Sequence, residues 1–450
     1  MLDTAVAPAR LFSKAQTLLE YAESLLRGGD HSGAYKAILA ATRDDANCAE
    51  AWSQLGDALS ANGKWELAVL CHRKALALDG SAFNHLRYAN SLSNVLDYDN
   101  AEVHFKEALN RNSRLSKAWY GLAHNFMMLG HCDIARDYLD RAMRIECDVI
   151  DMRYASAVLW LTIGDWRRGF AADYDVREQI RGGSNRPKDI PLWQGESLRD
   201  KHLHVYCEQG FGDICLMLRF LRYVPNCKLS MLVPKEMRRL IELSLDRSIT
   251  YFNAGTLPPD FKADYCLPLG SIPRYVMEAG RKFSVETRPY LFAPDAALPR
   301  PANIKKTVGI VWAGDPKHQN DRFRSANVED FVLGLDCLGV ALYSLQIGDL
   351  KTDGAVVGDM GLVPHLGDQI GDWLDTAALI KQLDTVVSVD TGVINLCGAM
   401  GKEAHVLVPF GGVDWRWMHG VERSPWYPSI TIHRQQKGES WRAVLERVVL

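Results

Sequence analysis

Four short stretches put acidic, basic, hydroxyl or aromatic side chains beside glycines, where a tight turn lets backbone and side chain approach a ligand together. Glu208-Gln209-Gly210-Phe211-Gly212-Asp213 sets a carboxylate at the opening of a helical pattern. Asp213 there either caps its helix or takes a proton from an attacking hydroxyl, with Gln209, Gly210 and Gly212 walling the same pocket. Trp312 to Ser325 carries Lys317, Arg322 and Arg324 within eight positions, just after Gly314. Such a loop is either solvated or holds an anionic ligand such as a diphosphate. Ser388 to Lys402 reads as a strand end, an Asp390-Thr391-Gly392 turn and a helix rich in small residues. The N–H groups at that helix start attract an anion and Thr391 adds a hydroxyl donor, or the helix is simply capped. Pro409 to Trp417, followed by Ser424 to Pro428, brings Trp415 and Arg416 past another strand end. These side chains either wall a base or sugar or pack on one another.

The elements that position these stretches follow from length and pattern. With 450 residues the chain exceeds one ordinary core, so two or three domains are expected. A content of 47% hydrophobic and 24% charged residues excludes disorder or a collagen-like chain. Lys plus Arg is 52 and Asp plus Glu is 55, a net charge of −3, which excludes a nucleic-acid binder held by bulk charge. The opening MLDTAVAPARLFSKAQ has an early Asp3 and no apolar core, so no secretory leader is read there, and no stretch approaches the ~18 apolar residues of a membrane span. Ten cysteines are scattered without a C-x-x-C pair or zinc-type spacing, which favours a reducing compartment, the cytoplasm, and no structural metal.

The first part of the chain is repetitive. Ala34, Ala68, Ala101 and Ala135 are 34, 33 and 34 residues apart, and Ala41, Ala75, Ala108 and Ala142 repeat the same steps. Upstream lie Leu18-x-x-Tyr21-Ala22, Trp52-x-x-Leu55-Gly56, His85-x-x-Tyr88-Ala89 and Trp119-x-x-Leu122-Ala123, and one large slot holds Ile38, His72, Phe105 and Leu139 in turn. Each unit reads as two helices, joined at turns such as Gly28-Gly29-Asp30, Asn62-Gly63-Lys64 and Leu129-Gly130-His131. The pattern resembles the tetratricopeptide repeat over four units, with a degenerate fifth hairpin from Met152 to Gln179, turning at Gly164-Asp165, as its cap. The array is expected over 11–182, presenting a groove for a peptide or partner protein. Asp97-x-Asp99 and Asp173-x-Asp175 have a spacing used for metal binding in sugar transferases, but their places at turns and on a repeat helix favour caps and solvated faces.

Arg181 to Pro187 breaks this period and reads as a linker. Beyond it, short apolar runs alternate with amphipathic ones. Strands are expected over 203–207, 229–233, 308–312, 340–345, 385–389 and 405–408, and helices over 214–223, 235–245, 327–336, 376–382, 392–400 and 440–449. That alternation predicts α/β units around parallel sheets. A Pro- and Ala-rich stretch from Pro289 to Pro301 divides them into lobes of 190–295 and 303–450.

Taken in order, EQGFGD, VGIVWAGDPKHQNDRFRS and SVDTGVINLCGAMGK, with the aromatic loop behind them, resemble bacterial tetratricopeptide-repeat proteins whose C-terminal half is similar to the ADP-heptose–lipopolysaccharide heptosyltransferase family. The resemblance implies an α solenoid followed by an α/β GT-B fold, two Rossmann-like lobes with the acceptor lobe first and the nucleotide-sugar lobe second. It implies an inverting, metal-independent glycosyltransferase with no cofactor beyond the nucleotide sugar as co-substrate. It assigns the general base to Asp213 and donor binding to Asp390, Thr391 and Gly392, with Lys317 facing the phosphates and Arg322 and Arg324 beside it. Where the family carries His in D-T-x-x-x-H-L, this chain has Asn395, which donates a hydrogen bond but supplies neither positive charge nor a mobile proton.

The expected activity is transfer of a sugar to a hydroxyl of a protein recruited by the repeats, flagellin being one acceptor known for this architecture. Two readings stand beside it: transfer to a lipid-linked or surface glycan, and an inactive repeat scaffold. The catalytic reading requires Asp213 to face the gap between the lobes and the turn at Asp390–Gly392 to be open to a ligand.

Overall fold

The computed structural model describes residues 13–180, 185–279, 288–298, 300, 302–318, 320–335, 339–348, 363–411 and 414–450. Residues 1–12, Arg181 to Ser184 of the first linker, Pro299 and Pro301 of the second, and Gln319, Asp336, Gly412 and Val413 of the expected motifs and helices lie outside them. The chain divides into two compact units, Met1–Met127 with Asp133–Met152, and Met128–Cys132 with Arg153–Leu450. No helix among the described residues is long and apolar enough to cross a membrane.

In the first unit, helices pair as α1 (Lys14–Arg27) with α2 (His31–Asp44), α3 (Ala49–Ala61) with α4 (Trp65–Leu78), α5 (Ala82–Asn94) with α6 (Tyr98–Arg111), and α7 (Ser116–Met128) with α8 (Cys132–Ile145). All eight periodic alanines are buried, because there the neighbouring helix leaves room for no more than a methyl group. Gly29, Gly63 and Gly130 turn the chain with φ of 81°, 70° and 83°, while the third hairpin turns at Leu96 with φ 61°, so its turn carries no glycine signal. The large slot is buried in every repeat; where it is polar, His72 meets the Ser91 hydroxyl at 2.8 Å. Asp97 caps α6 by accepting from the Asn100 N–H at 3.4 Å.

Close approach also keeps one position of α7 free of a side chain. A methyl group at Gly121 would stand 2.3 Å from the ring of Phe105, which is fully buried and has nowhere to move. Alanine at 121 gains at most about 1 kcal/mol of helix propensity. Overpacking costs about 1–3 kcal/mol. Gly121→Ala is therefore expected to lower the urea midpoint of the repeat unit, whereas an unchanged or raised midpoint would show that the helices are not in contact there.

The segment expected as a fifth hairpin is regular only in its first half. Helix α9 (Ile150–Thr162) is followed by three short turns of helix, Trp166–Gly169, Ala172–Asp175 and Arg177–Ile180, instead of one continuous partner. From Arg153 onward these residues group with the C-terminal unit. Arg177, buried to 1% exposure, donates to Glu208 at 2.7 Å, to Asp175 at 2.9 Å and to Ser271 at 3.0 Å. Asp173 accepts from Arg153 at 2.8 Å, so both aspartates of this D-x-D pair serve packing contacts.

Two parallel sheets follow. The first joins β1 (His202–Tyr206), β2 (Lys228–Val233), β3 (Thr250–Asn253) and β4 (Tyr265–Pro268) in the order β3-β2-β1-β4. The second joins β5 (Lys306–Val311), β6 (Val340–Ser344), β7 (Thr385–Val389), β8 (Ala404–Val408) and β9 (Ile430–Arg434) in the order β6-β5-β7-β8-β9. The central strands are almost wholly buried, as their unbroken apolar runs require of strands covered on both faces. Strands β3, β4 and β9 lacked a clear sequence signal: β3 and β4 are four residues each, and β9 mixes Thr431, His433 and Arg434 among its isoleucines. Several expected helices are shorter or change type. Phe211–Met217 passes into a 3-10 turn at Leu218–Tyr223, Lys235–Met237 is 3-10 before the helix Arg238–Ser244, and the last helix is only Trp441–Leu445.

Candidate functional site

In an open parallel sheet, ligands bind beyond the carboxyl ends of the strands where the winding order reverses. In the first sheet that point lies between β1 and β4, and in the second between β5 and β7. The stretch Glu208 to Asp213 leaves β1, Trp312 to Ser325 leaves β5, and Asp390 to Gly392 leaves β7. Three of the four chemistry-bearing stretches thus occupy the two switch points.

These ends meet. Arg416, 5% exposed, pairs with Asp213 of the first lobe and with Asp414 at 2.5 Å. Asp213 also accepts from the Gly210 N–H at 3.1 Å, so it caps its own helix while facing the second lobe. Its cap and junction roles are therefore combined. Glu208 fixes the turn from below, accepting from Arg177 and from the Gly270 N–H at 3.2 Å. Burial pushes the Glu208 carboxyl up, against the pull of Arg177. Tyr174, buried to 1%, lies close enough to feel the charges of Asp213 and Arg416.

Across the junction, Asn395 is 3% exposed and donates to the Thr391 carbonyl at 3.0 Å. A methyl group at Gly212 would come within 2.8 Å of the Asn395 amide nitrogen, so only glycine fits where these two turns touch. The Thr391 hydroxyl meets Ser388 at 3.1 Å. Asp390, Thr391 and Gly392 are partly exposed, but Trp373 and Phe211, with ring centroids 5.1 Å apart, close against Gly392 on one side. Three buried polar atoms here have no hydrogen-bond partner: Gln209 Oε1, Asn395 Oδ1 and Arg416 Nε. Orphaned polar atoms are costly, and each of these suits a polar ligand or ordered water.

Of the three basic residues in the β5 loop, Arg324 reaches the β7 turn. Its guanidinium donates to the Asp390 carbonyl at 2.8 Å and to Asp321 at 3.0 Å, tight against Gly314. Lys317 and Arg322 stand on the exposed side of the loop, Arg322 over the Phe323 ring at 4.2 Å. Trp415 is buried and packs edge-on against Trp426, with centroids 5.4 Å apart, and against Phe170 at 5.9 Å, so it serves packing and does not wall an open pocket. The sequence offered no signal for Trp373, and for Tyr174 only its place inside the Asp173-x-Asp175 spacing; both arrive by packing.

Burial, with the charge of Asp414 added, pushes the Asp390 carboxyl up to about 6, against the opposing pull of Arg324 and Arg416. A raised carboxylate contributes fully to stability below its unfolded value near ~4 and loses that contribution as pH rises through about 6. Asp390→Asn is thus expected to melt with the parent at pH 4 and above it at pH 7.5. Equal melting temperatures at both values would show that Asp390 is not held neutral by its surroundings.

No family model matches the chain. It is similar to Protein FlbA of Caulobacter vibrioides, 27% identical over 393 residues, which is 79% of this chain and 64% of that protein. The chain therefore spans less than two thirds of the length of this relative. Among solved structures it is similar to MamA of Desulfovibrio magneticus RS-1, at 18% identity and a TM-score of 0.33 over 38% of this chain and 98% of that one. It is similar to TTC0263, a thermophilic TPR protein of Thermus thermophilus, at 20% identity and a TM-score of 0.33 over 39% and 93%. It is also similar to YrrB, described as a TPR protein with an unusual peptide-binding site, at 15% identity and a TM-score of 0.29 over 37% and 87%. By its own repeats and strands, the chain is a tetratricopeptide-type helical array followed by parallel α/β sheets.

Proposed function

We propose that the chain is a metal-independent, inverting glycosyltransferase of GT-B type that moves a sugar from a nucleotide-activated donor to a hydroxyl of a protein brought by the repeat array. The observation that carries this reading is the convergence of two strand-end turns from separate sheets, with Asp213 on one and Asp390–Gly392 on the other. The helix Gly392–Ala399 and the Thr391 hydroxyl would hold the donor diphosphate, and Arg324 would oppose charge growing on it as it leaves. Asp213 keeps lone pairs beyond those used by Arg416 and Gly210, and with them accepts the proton of the attacking hydroxyl. Lys317 and Arg322 would meet the outer phosphate or the solvent side of the donor. A peptide acceptor suits a helical-hairpin groove, and flagellin is the acceptor that the family resemblance suggests.

The test is a deletion strain compared with its parent by intact mass of abundant surface proteins. Loss of a discrete mass increment identifies both acceptor and sugar, while an increment lost only from surface glycan moves the acceptor to a lipid-linked carrier. The contacts of Trp373, Phe211 and Asn395 around the turn favour a second reading, a repeat scaffold without turnover. Calorimetry with nucleoside diphosphates separates the two: saturable heat supports the donor site, and no heat with any of them leaves the scaffold.

A further inference from the structure

A polar cavity lies at the opposite end of the second sheet from the turns described above. It has a volume of about 480 Å³ and opens at the N-terminal ends of β8 and β9, among His405, His433, Ser429, Thr431, Arg423 and Arg447. His405 and Thr431 are register partners, which brings the two strands' side chains to one face. His405 is 6% exposed, and its Nδ1 lies 3.0 Å from His433 Nε2. Its other ring nitrogen, Nε2, is buried without a partner, as is the Ser429 hydroxyl. Each arginine is anchored on one side only by what the structure records: Arg423 donates to the Pro428 carbonyl at 3.0 Å, and Arg447 to the Arg434 carbonyl at 3.0 Å and to Glu439. Glu403 also borders the cavity and pairs with Lys306 of β5 at 3.7 Å.

An imidazole nitrogen and a hydroxyl left unpaired beside two guanidinium groups form a pocket that is rich in donors once the imidazole is protonated. We propose that this cavity binds a phosphate group, with His405 Nε2 and the hydroxyls of Ser429 and Thr431 donating to its oxygens and Arg423 and Arg447 balancing its charge. The two histidines are held down to about 4. For His405 the cause is burial, then the charges of Lys306 and Arg423. For His433 it is burial, then His405 and Arg447. An arriving anion reverses that balance despite the carboxylate of Glu403, so binding draws a proton onto the histidine pair.

The test is calorimetry on the full chain at pH 6 with inorganic phosphate, and separately with glycerol 3-phosphate, in two buffers of different ionisation enthalpy. Saturable binding with proton uptake is expected, weakened at least tenfold in Arg423→Gln and in Thr431→Val. Binding of phosphate but not of the ester marks a free-ion site, and binding of both marks a phosphomonoester site; either supports the pocket. Absence of heat with both ligands at tens of millimolar overturns the proposal. So does binding that Thr391→Val removes and Arg423→Gln leaves intact, since the anion would then sit at the β7 turn. Selective ¹⁵N-histidine spectra keep the test decisive if a variant is unstable, because phosphate must shift His405 and His433 in the parent protein.

Discussion

Asp213→Asn is expected to lower sugar transfer by roughly 10²–10⁴-fold while leaving the fold and partner binding intact. Asparagine keeps the shape of the carboxylate. Its amide oxygen can still accept from Arg416, so the ion pair becomes a hydrogen bond rather than a gap. What it cannot do is take the proton of an attacking hydroxyl at neutral pH. Transfer assayed in the deletion strain complemented with the variant, by intact mass of the acceptor, reads the effect directly. A normal mass increment would remove Asp213 from the role of base. A lost increment with normal nucleoside-diphosphate binding would place the defect in chemistry rather than in the donor site.

Arg416→Met is expected to destabilise the C-terminal unit by about 3–5 kcal/mol, the usual cost of stripping one partner from a buried ion pair. The arginine is buried between Asp213 and Asp414, and it also draws down the carboxyl of Asp390. Without it, three carboxylates are left close together with Arg324 as the opposing charge on Asp390. Like charges at such range raise carboxylate pKa values, so the variant's lost stability is smallest where those groups are protonated and grows as pH rises. Urea unfolding at pH 4.5 and pH 7.5 checks this sign. A deficit that is equal at both values, or under about 1 kcal/mol, would mean that the pair is in effect a surface contact.

Both substitutions fall on residues that the sequence had singled out, yet for only one of them was the place in the fold legible. Asp213 stood out because a carboxylate after a glycine turn at a strand end either caps the helix or faces the crevice, and here it does both. Arg416 was visible only as an aromatic-loop arginine that walls a pocket. Its role as the link between the lobes depends on a residue 203 positions along the chain folding back onto the β1 turn. Arg324 is a similar case. In the sequence it stood beside Lys317 as a neighbour, whereas in the fold the short helix Asp321–Arg324 points its guanidinium at the Asp390 carbonyl. The fifth hairpin went the other way. Its second helix is periodic enough to be expected, but Arg177 is pulled into an ion-pair cluster with Glu208 and Asp175, and the helix breaks into turns around it.

By itself the sequence determined what is local or periodic. The alanine steps of 33 and 34 residues fix where helices approach closely, and therefore the hairpin array, because no larger side chain fits those positions. Unbroken apolar runs ended by glycine turns fix the central parallel strands and the loops that leave them. Only the tertiary structure decided the strand order, and with it which turns share a switch point. It also decided that Gly212 and Asn395 touch, that Arg416 lies between two carboxylates, and that His405 faces a polar cavity. Each of these joins residues far apart along the chain, and such contacts are set by the packing of whole elements rather than by any local preference of the residues that make them.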